Sequence, residues 1–316
     1  MTAEPTGSTG TALLFPGQGT QRAGMGEPWR GTDSWSLVPE LSELTGADVE
    51  ELLLRADDES LRRTDLAQIA VFSLSLLAHR EYVGLGLDEE PPGFFAGHSL
   101  GEYTALVAAG ALSYRDAARL VAVRGRAMQA AATLREGSMC VLLGVEAETV
   151  LKAVEEARAA GQEVWVANLN APGQVVISGT ASGLGHATGL VEAPGVKAVS
   201  IPVGGAFHSP LMAPAAELLR PALSEARFAD GHRPVVANVD AAAHTGVDGW
   251  SALLLDQLVS PVRWAQSVRA LTGPLGCGRL VELGPGRTLA GMARRISRPT
   301  PAVSLNTPQD LRALRP

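Results

Sequence analysis

Ser99 is the first residue whose setting suggests chemistry. It stands in Gly97-His98-Ser99-Leu100-Gly101, after the apolar pair Phe94-Phe95 and before a helical run that stops near Gly110. A strand that turns sharply into a helix at such a serine holds Oγ clear of the sheet, and the flanking glycines let strand and helix approach. The serine then lies at a helix N-terminus, where backbone N–H groups lack partners, so the Leu100 N–H is placed to stabilise an oxyanion. With 35 glycines in the chain, G-x-S-x-G alone decides little, and its neighbours carry the weight.

A serine hydroxyl is a poor nucleophile unless a base takes its proton. Six histidines are available. His79 sits on a helix amid apolar neighbours, and His186, His232 and His244 lie in polar, loop-like or surface helical contexts. His98 adjoins the serine, and adjacent side chains at such a turn point apart. His208 remains, on the loop Gly204-Gly205-Ala206-Phe207-His208-Ser209-Pro210, which can present a side chain into a cleft. Gln18, in the turn Pro16-Gly17-Gln18-Gly19 after the first apolar strand, offers an amide that either points into a site or caps the turn.

The elements that must position these groups alternate. Thr11 to Phe15 reads as a strand, Val38 to Ala78 as mostly helical, and Pro91-Pro92-Gly93 resets the chain before the serine strand. Ser113 to Ala132 is an amphipathic helix with Ser113 as its N-cap, carrying Arg115, Arg119, Arg124 and Arg126 around it. Between about 134 and 200 the order is strand (139–143), helix (147–160), strand (164–168), strand (174–178), helix (182–192), strand (197–201). That βαββαβ order predicts a small ferredoxin-like subdomain, 134–200, inserted into a larger α/β domain of 1–133 and 201–316. Beyond it come a helix from Pro214, a strand from Pro234 to Val239, a helix ending at Leu258, and a strand from Arg279 to Leu283 that turns at Gly284-Pro285-Gly286 into a helix. The cleft between the two parts is the expected ligand site.

Composition narrows the classes. At 316 residues, 46% hydrophobic and net charge −7, with no polybasic tract, the chain reads as a globular protein that binds neither nucleic acid nor anionic membrane. The stretch Met1 to Ser8 lacks a basic region before its first apolar run, and no apolar run is long enough to span a bilayer, which predicts a cytoplasmic protein. Cys140 and Cys277 are far apart and match no C-x-x-C pattern, so two buried thiols are expected, and no His/Cys cluster has zinc spacing.

In order along nearly the whole chain stand FPGQGTQRAGMG, TDLAQIAVFSLS, GHSLGEYTAL, VRGRAMQ, NLNAPGQVVISG, GAFHSPLM, ANVD, QLVSPVRW and ELGPGRTL. In these segments the chain resembles the malonyl-CoA:acyl carrier protein transacylases and the related acyltransferases of polyketide synthesis. The resemblance implies an α/β-hydrolase-like large domain with a parallel sheet, and a role for each matching residue. Ser99 matches the nucleophile, and His208 the base. Gln18 and the Leu100 N–H match the oxyanion hole. Arg124 matches the arginine that grips the free carboxylate of malonyl. Gln257 falls where the family uses a backbone carbonyl to orient the histidine, and His98 where the acyl pocket is lined. Leu100 and the Gly205-to-His208 loop resemble the malonyl-type versions, with the Phe207 ring leaving little room for a substituent.

The resemblance implies ping-pong transfer of malonyl, or a related extender, from coenzyme A to the phosphopantetheine thiol of an acyl carrier protein, in fatty-acid or polyketide synthesis. No bound cofactor is expected beyond those substrates. A hydrolase of the same fold that clears carrier proteins, transfer of a rarer acyl group, and a non-catalytic docking module are the alternatives. Asn168 and Asn170 shape the cleft or form turns, and Glu282 to Gly286 reads as a strand-to-helix turn. Arg287, Arg294, Arg295 and Arg298 meet an acidic carrier protein or form a solvated face. Length and termini suggest a discrete monomer acting in trans.

Overall fold

The computed structural model describes residues 10–88 and 92–314. The Met1-to-Ser8 stretch and Pro91, both read above, lie outside the described residues. Among the described residues, ten strands form two sheets: β1 (Thr11–Phe15), β2 (Phe94–Gly97), β3 (Ser138–Leu143), β4 (Val164–Ala171), β5 (Gln174–Gly179), β6 (Lys197–Ile201), β7 (Val235–Val236), β8 (Ala243–His244), β9 (Arg279–Leu283) and β10 (Ala302–Leu305).

The larger sheet has the order β10-β9-β1-β2-β7-β8. Neighbours from β10 to β7 are parallel, and β8 joins the edge antiparallel. A parallel sheet needs cover on both faces, and its strands here divide their side chains accordingly. Leu13, Phe15, Phe95, Val281 and Leu283 enter one apolar core with helices Thr64–Gly84 and Tyr114–Leu134. Ala12, Leu14, Ala96 and Leu280 enter a second with helices Trp264–Thr272 and Thr288–Ile296. Period-2 alternation within a continuous apolar run therefore assigns each side chain to a face, although hydropathy alone shows no alternation.

The smaller sheet runs β4-β5-β3-β6, antiparallel throughout. Helices Ala147–Ala159 and Ala181–Leu190 cover one face, burying Leu142, Val150, Val164, Ile177 and Ala187. At its far end β4 joins the large part: the Leu169 N–H donates to the Val262 carbonyl (2.9 Å), and the Val262 N–H to the Ala167 carbonyl (2.8 Å).

One local expectation needs correction. The strand expected from Pro234 to Val239 is ordered as strand only at Val235–Val236, because the chain turns back at once, with the Ala237 N–H bonded to the Ala242 carbonyl and Ala241 at φ 58°. Strands β8 and β10 had no sequence signal strong enough to predict. His232 lies in a loop as read, buried and accepting the Trp250 indole N–H at 3.2 Å.

Candidate active site

Strand β2 delivers the chain to Gly97, and the turn that follows tolerates no side chain on either flanking glycine. A Cβ on Gly97 would lie 1.9 Å from the Gly101 carbonyl carbon, and one on Gly101 would lie 2.0 Å from the Phe15 carbonyl oxygen. Ser99 between them takes φ 52°, a conformation costly for a residue with a Cβ. Helix Gly101–Ala109 starts immediately and ends at Gly110 in the left-handed conformation.

The His208 Nε2 atom lies 2.8 Å from Ser99 Oγ, and its Nδ1 lies 2.7 Å from the Gln257 carbonyl oxygen. A carbonyl only accepts, so Nδ1 carries the proton and Nε2 is free to receive the serine's. Burial, reinforced by the Arg124 charge, pulls the His208 pKa down to about 3, which keeps the ring neutral and competent as a base. Its loop is held by Ser209, whose hydroxyl donates to the Ala206 carbonyl (2.6 Å).

Arg124 is buried, with 1% of its surface exposed, and forms no ion pair among the described residues. Its Nη1 donates to Gln68 Oε1 (2.6 Å), and its Nη2 to Gln257 Oε1 (2.9 Å) and to Ser99 Oγ (3.0 Å). The guanidinium lies 5.6 Å from the Tyr103 ring centre, and its Nε has no partner. A buried cation satisfied only by neutral groups, with one edge on the serine oxygen, is arranged to accept an anion beside the nucleophile.

The Gln18 side-chain amide donates to Thr64 Oγ1 (3.3 Å) and is therefore engaged in the loop rather than aimed at Ser99. The backbone N–H of Gln18, like that of Leu100, has no acceptor among the described residues, and both residues lie beside the cavity that holds Ser99. His98 Nε2 bonds Asn170 Oδ1 (2.9 Å), and its ring lies 5.5 Å from that of Trp264. Phe207 is buried against Gly205, where a Cβ would come within 2.7 Å of its ring.

These groups surround a cavity of about 330 Å³. Gln18, His98, Ser99, Arg124, Phe207 and His208 line it from the large part, and Met139, Asn168 and Ile201 from the small sheet. Sequence reasoning missed Gln68, Asn238 and Glu102, which hold the site from behind. Asn238 Oδ1 accepts the Ser99 N–H (2.7 Å), and Glu102 is fully buried. The ANVD and GHSLGEY segments contained them, but nothing local distinguishes a buried acid from a solvated one. Glu282, by contrast, anchors a helix: it accepts from the N–H groups of Leu289 and Ala290 and from Ser304 Oγ. Arg295 is engaged with Gln174 (2.7 Å) on the small sheet's hairpin.

Residues 12–290 match the acyl transferase domain family. The chain is 38% identical over 308 residues to the malonyl CoA-acyl carrier protein transacylase of Bacillus subtilis (strain 168), covering 95% of this chain and 94% of that one. A crystal structure of malonyl-CoA:acyl carrier protein transacylase from Xanthomonas oryzae pv. oryzae superposes with a TM-score of 0.90 at 39% identity, covering 97% of each chain. A malonyl-transacylase solved in complex with a type II polyketide acyl-carrier protein superposes with a TM-score of 0.88 at 35% identity, over 96% of this chain and 98% of that one.

Proposed function

The chain belongs to the acyl transferase domain family, and from that premise we propose how its residues carry malonyl from coenzyme A to an acyl carrier protein, in fatty-acid or polyketide synthesis. Ser99 Oγ attacks the thioester carbonyl while its proton passes to His208 Nε2. The developing oxyanion is received by the N–H groups of Leu100 and Gln18, donors that are each worth about 3–4 kcal/mol in such sites. Collapse breaks the C–S bond, and His208 returns the proton to the departing sulfur, so that coenzyme A leaves as the thiol and the ring is neutral again. The phosphopantetheine thiol of the carrier then gives its proton to His208, attacks the malonyl ester, and restores Ser99. The Gln257 carbonyl keeps the ring in the required tautomer throughout.

The observation that carries this reading is Arg124, a buried guanidinium with no carboxylate partner and one Nη 3.0 Å from the nucleophile. A carboxylate two bonds from the reacting carbonyl satisfies it with a planar, two-point contact that lysine does not reproduce. Phe207 and Leu100 support a preference for malonyl over branched extenders. The substrates themselves supply everything the transfer requires, so no further cofactor is invoked. Residues 134–200 act as an inserted subdomain between 1–133 and 201–316, and the enzyme is cytoplasmic and monomeric. No helix among the described residues is long and apolar enough to cross a membrane.

Intact mass after incubation with malonyl-, methylmalonyl- and acetyl-coenzyme A, followed by holo carrier protein, tests the reading. Malonyl should add to the enzyme, move to the carrier, and fail to add to Ser99→Ala. Label lost to water with the carrier left bare identifies a hydrolase, and preferential acetyl loading removes Arg124 from its role.

A further inference from the structure

Ser99 holds its strained φ of 52° because both of its peptide groups are clamped. Its N–H donates to Asn238 Oδ1 (2.7 Å), and its carbonyl accepts from Gln257 Nε2 (2.9 Å). The opposite ends of those amides are also engaged: Asn238 Nδ2 donates to the Gly97 carbonyl (2.7 Å), and Gln257 Oε1 accepts from Arg124 (2.9 Å). Asn238 follows β7 and Gln257 lies on helix Trp250–Val259, yet both meet one group. Glu102 Oε2 accepts the Asn238 backbone N–H (3.0 Å) and Gln257 Nε2 (3.1 Å). An amide donates from one end and accepts at the other, so a carboxyl oxygen at Nε2 obliges Oε1 to face Arg124.

Glu102 is fully buried, and its second oxygen, Oε1, has no hydrogen-bond partner among the described residues. An ionised carboxylate spreads its charge over both oxygens and needs donors on both; this one has them on one side only.

We propose that Glu102 is a positioning residue of acyl transfer, fixing as an uncharged carboxyl the Gln257 amide and the Asn238 backbone, the two residues whose side chains clamp Ser99, and leaving the Arg124 charge to the substrate's carboxylate. This rests on the malonyl-transfer reading above. Burial pushes the Glu102 pKa up to about 8, against the bonds from Gln257 and Asn238 and the field of Arg124, while Asp240 pushes it further up. Tyr103, beside it on the same helix, is held neutral by burial. When Glu102 ionises, its charge competes with the substrate for Arg124, and loading falls as pH rises.

Single-turnover malonylation of Ser99, followed by quenched intact mass from roughly pH 6 to 9.5, tests this on the full chain. Wild type should lose about tenfold per pH unit above its break near 8, and Glu102→Gln should keep neutral-pH loading within about threefold with no alkaline break. Glu102→Ala should lose on the order of 10- to 100-fold in loading rate at saturating malonyl-coenzyme A. An unbroken wild-type profile, a Glu102→Gln profile with the wild-type break, a folded Glu102→Gln unable to load at neutral pH, or a fully active Glu102→Ala each overturns the proposal while malonyl transfer stands. If Glu102→Ala does not fold, the Glu102→Gln profile alone decides. A wild type that never takes up malonyl overturns the underlying reading and this proposal together.

Discussion

The two sheets treat their polar groups and their edges in opposite ways. The parallel sheet is enclosed between two apolar cores, and at the ends of β1, β2 and β7 it gathers Ser99, Asn238 and Glu102 with the incoming His208, Arg124 and Gln257, all held by hydrogen bonds. The antiparallel sheet has helices Ala147–Ala159 and Ala181–Leu190 on one face and gives Met139, Ala167 and Val176 to the large part's core from the other. It lends Met139, Asn168 and Ile201 to the cavity wall and leaves Lys197 to Ser200 of β6 exposed, with Val199 48% accessible. Chemistry that depends on tenths of an ångström is placed where the backbone is over-determined, and the small sheet supplies only the remaining stretch of cavity wall opposite it. The two are coupled at β4, through its backbone bonds to Val262 and through Asn170, which holds His98.

The comparison breaks most sharply at the histidine. Removing the base with His208→Ala should slow acyl loading on the order of 10⁴-fold, read by quenched mass spectrometry. Because burial holds this ring neutral down to about 3, kcat/KM for malonyl loading should stay flat as pH falls from roughly 7 to 5, with no break at the ordinary histidine value. The same depression has a cost in stability. The unfolded chain takes up the proton first, so the His208 contribution to stability declines as pH falls from 6.5 toward 3, measurable as a falling Tm that His208→Gln does not share.

A smaller loss is expected at the carboxylate contact. Arg124→Ala forfeits a charge-assisted pair worth about 2–4 kcal/mol, or roughly 30- to 1,000-fold in malonyl loading, with acetyl loading spared. Equal losses for both acyl groups would show that the guanidinium serves the nucleophile and not the substrate.

The wall should yield less. Phe207→Ala enlarges the acyl pocket and should raise methylmalonyl loading relative to malonyl by about tenfold, read by competition between the two thioesters. On β6, Val199→Glu should leave stability within about 0.5 kcal/mol and loading unaltered. A large loss there would mean that the small sheet's open edge takes part in the reaction and that the division drawn above is wrong.

The elbow was legible because its demands are local. Two glycines and a serine spaced by single residues mark a turn once an apolar strand precedes them and a helical run follows, and the clash distances at Gly97 and Gly101 give the reason. The helix from Tyr114 was legible from Ser113, whose hydroxyl does accept from the Asp116 N–H. The β7 strand was over-extended because Ala237 and Val239 continue its apolar pattern, but the stretch is recruited into a turn that carries Asn238 to the serine. Of the two readings of Gln18, an amide pointing into a site or one serving its turn, the sequence could not choose, and the structure gives the side chain a partner in Thr64 while the residue still lines the cavity.

By itself the sequence determined the alternation of strands and helices, the small βαββαβ unit, the elbow, and the residue types available for attack, base and clamp, since each follows from short-range periodicity, glycine sterics or motif spacing. Tertiary structure alone decided which of them meet. Ser99 and His208 are 109 positions apart, and Ser99 and Gln257 are 158 apart, yet each pair lies within hydrogen-bond distance. The burial that lowers the His208 pKa, raises that of Glu102 and leaves Arg124 without a counter-ion likewise belongs to no local stretch, because desolvation depends on what the rest of the chain packs around a group.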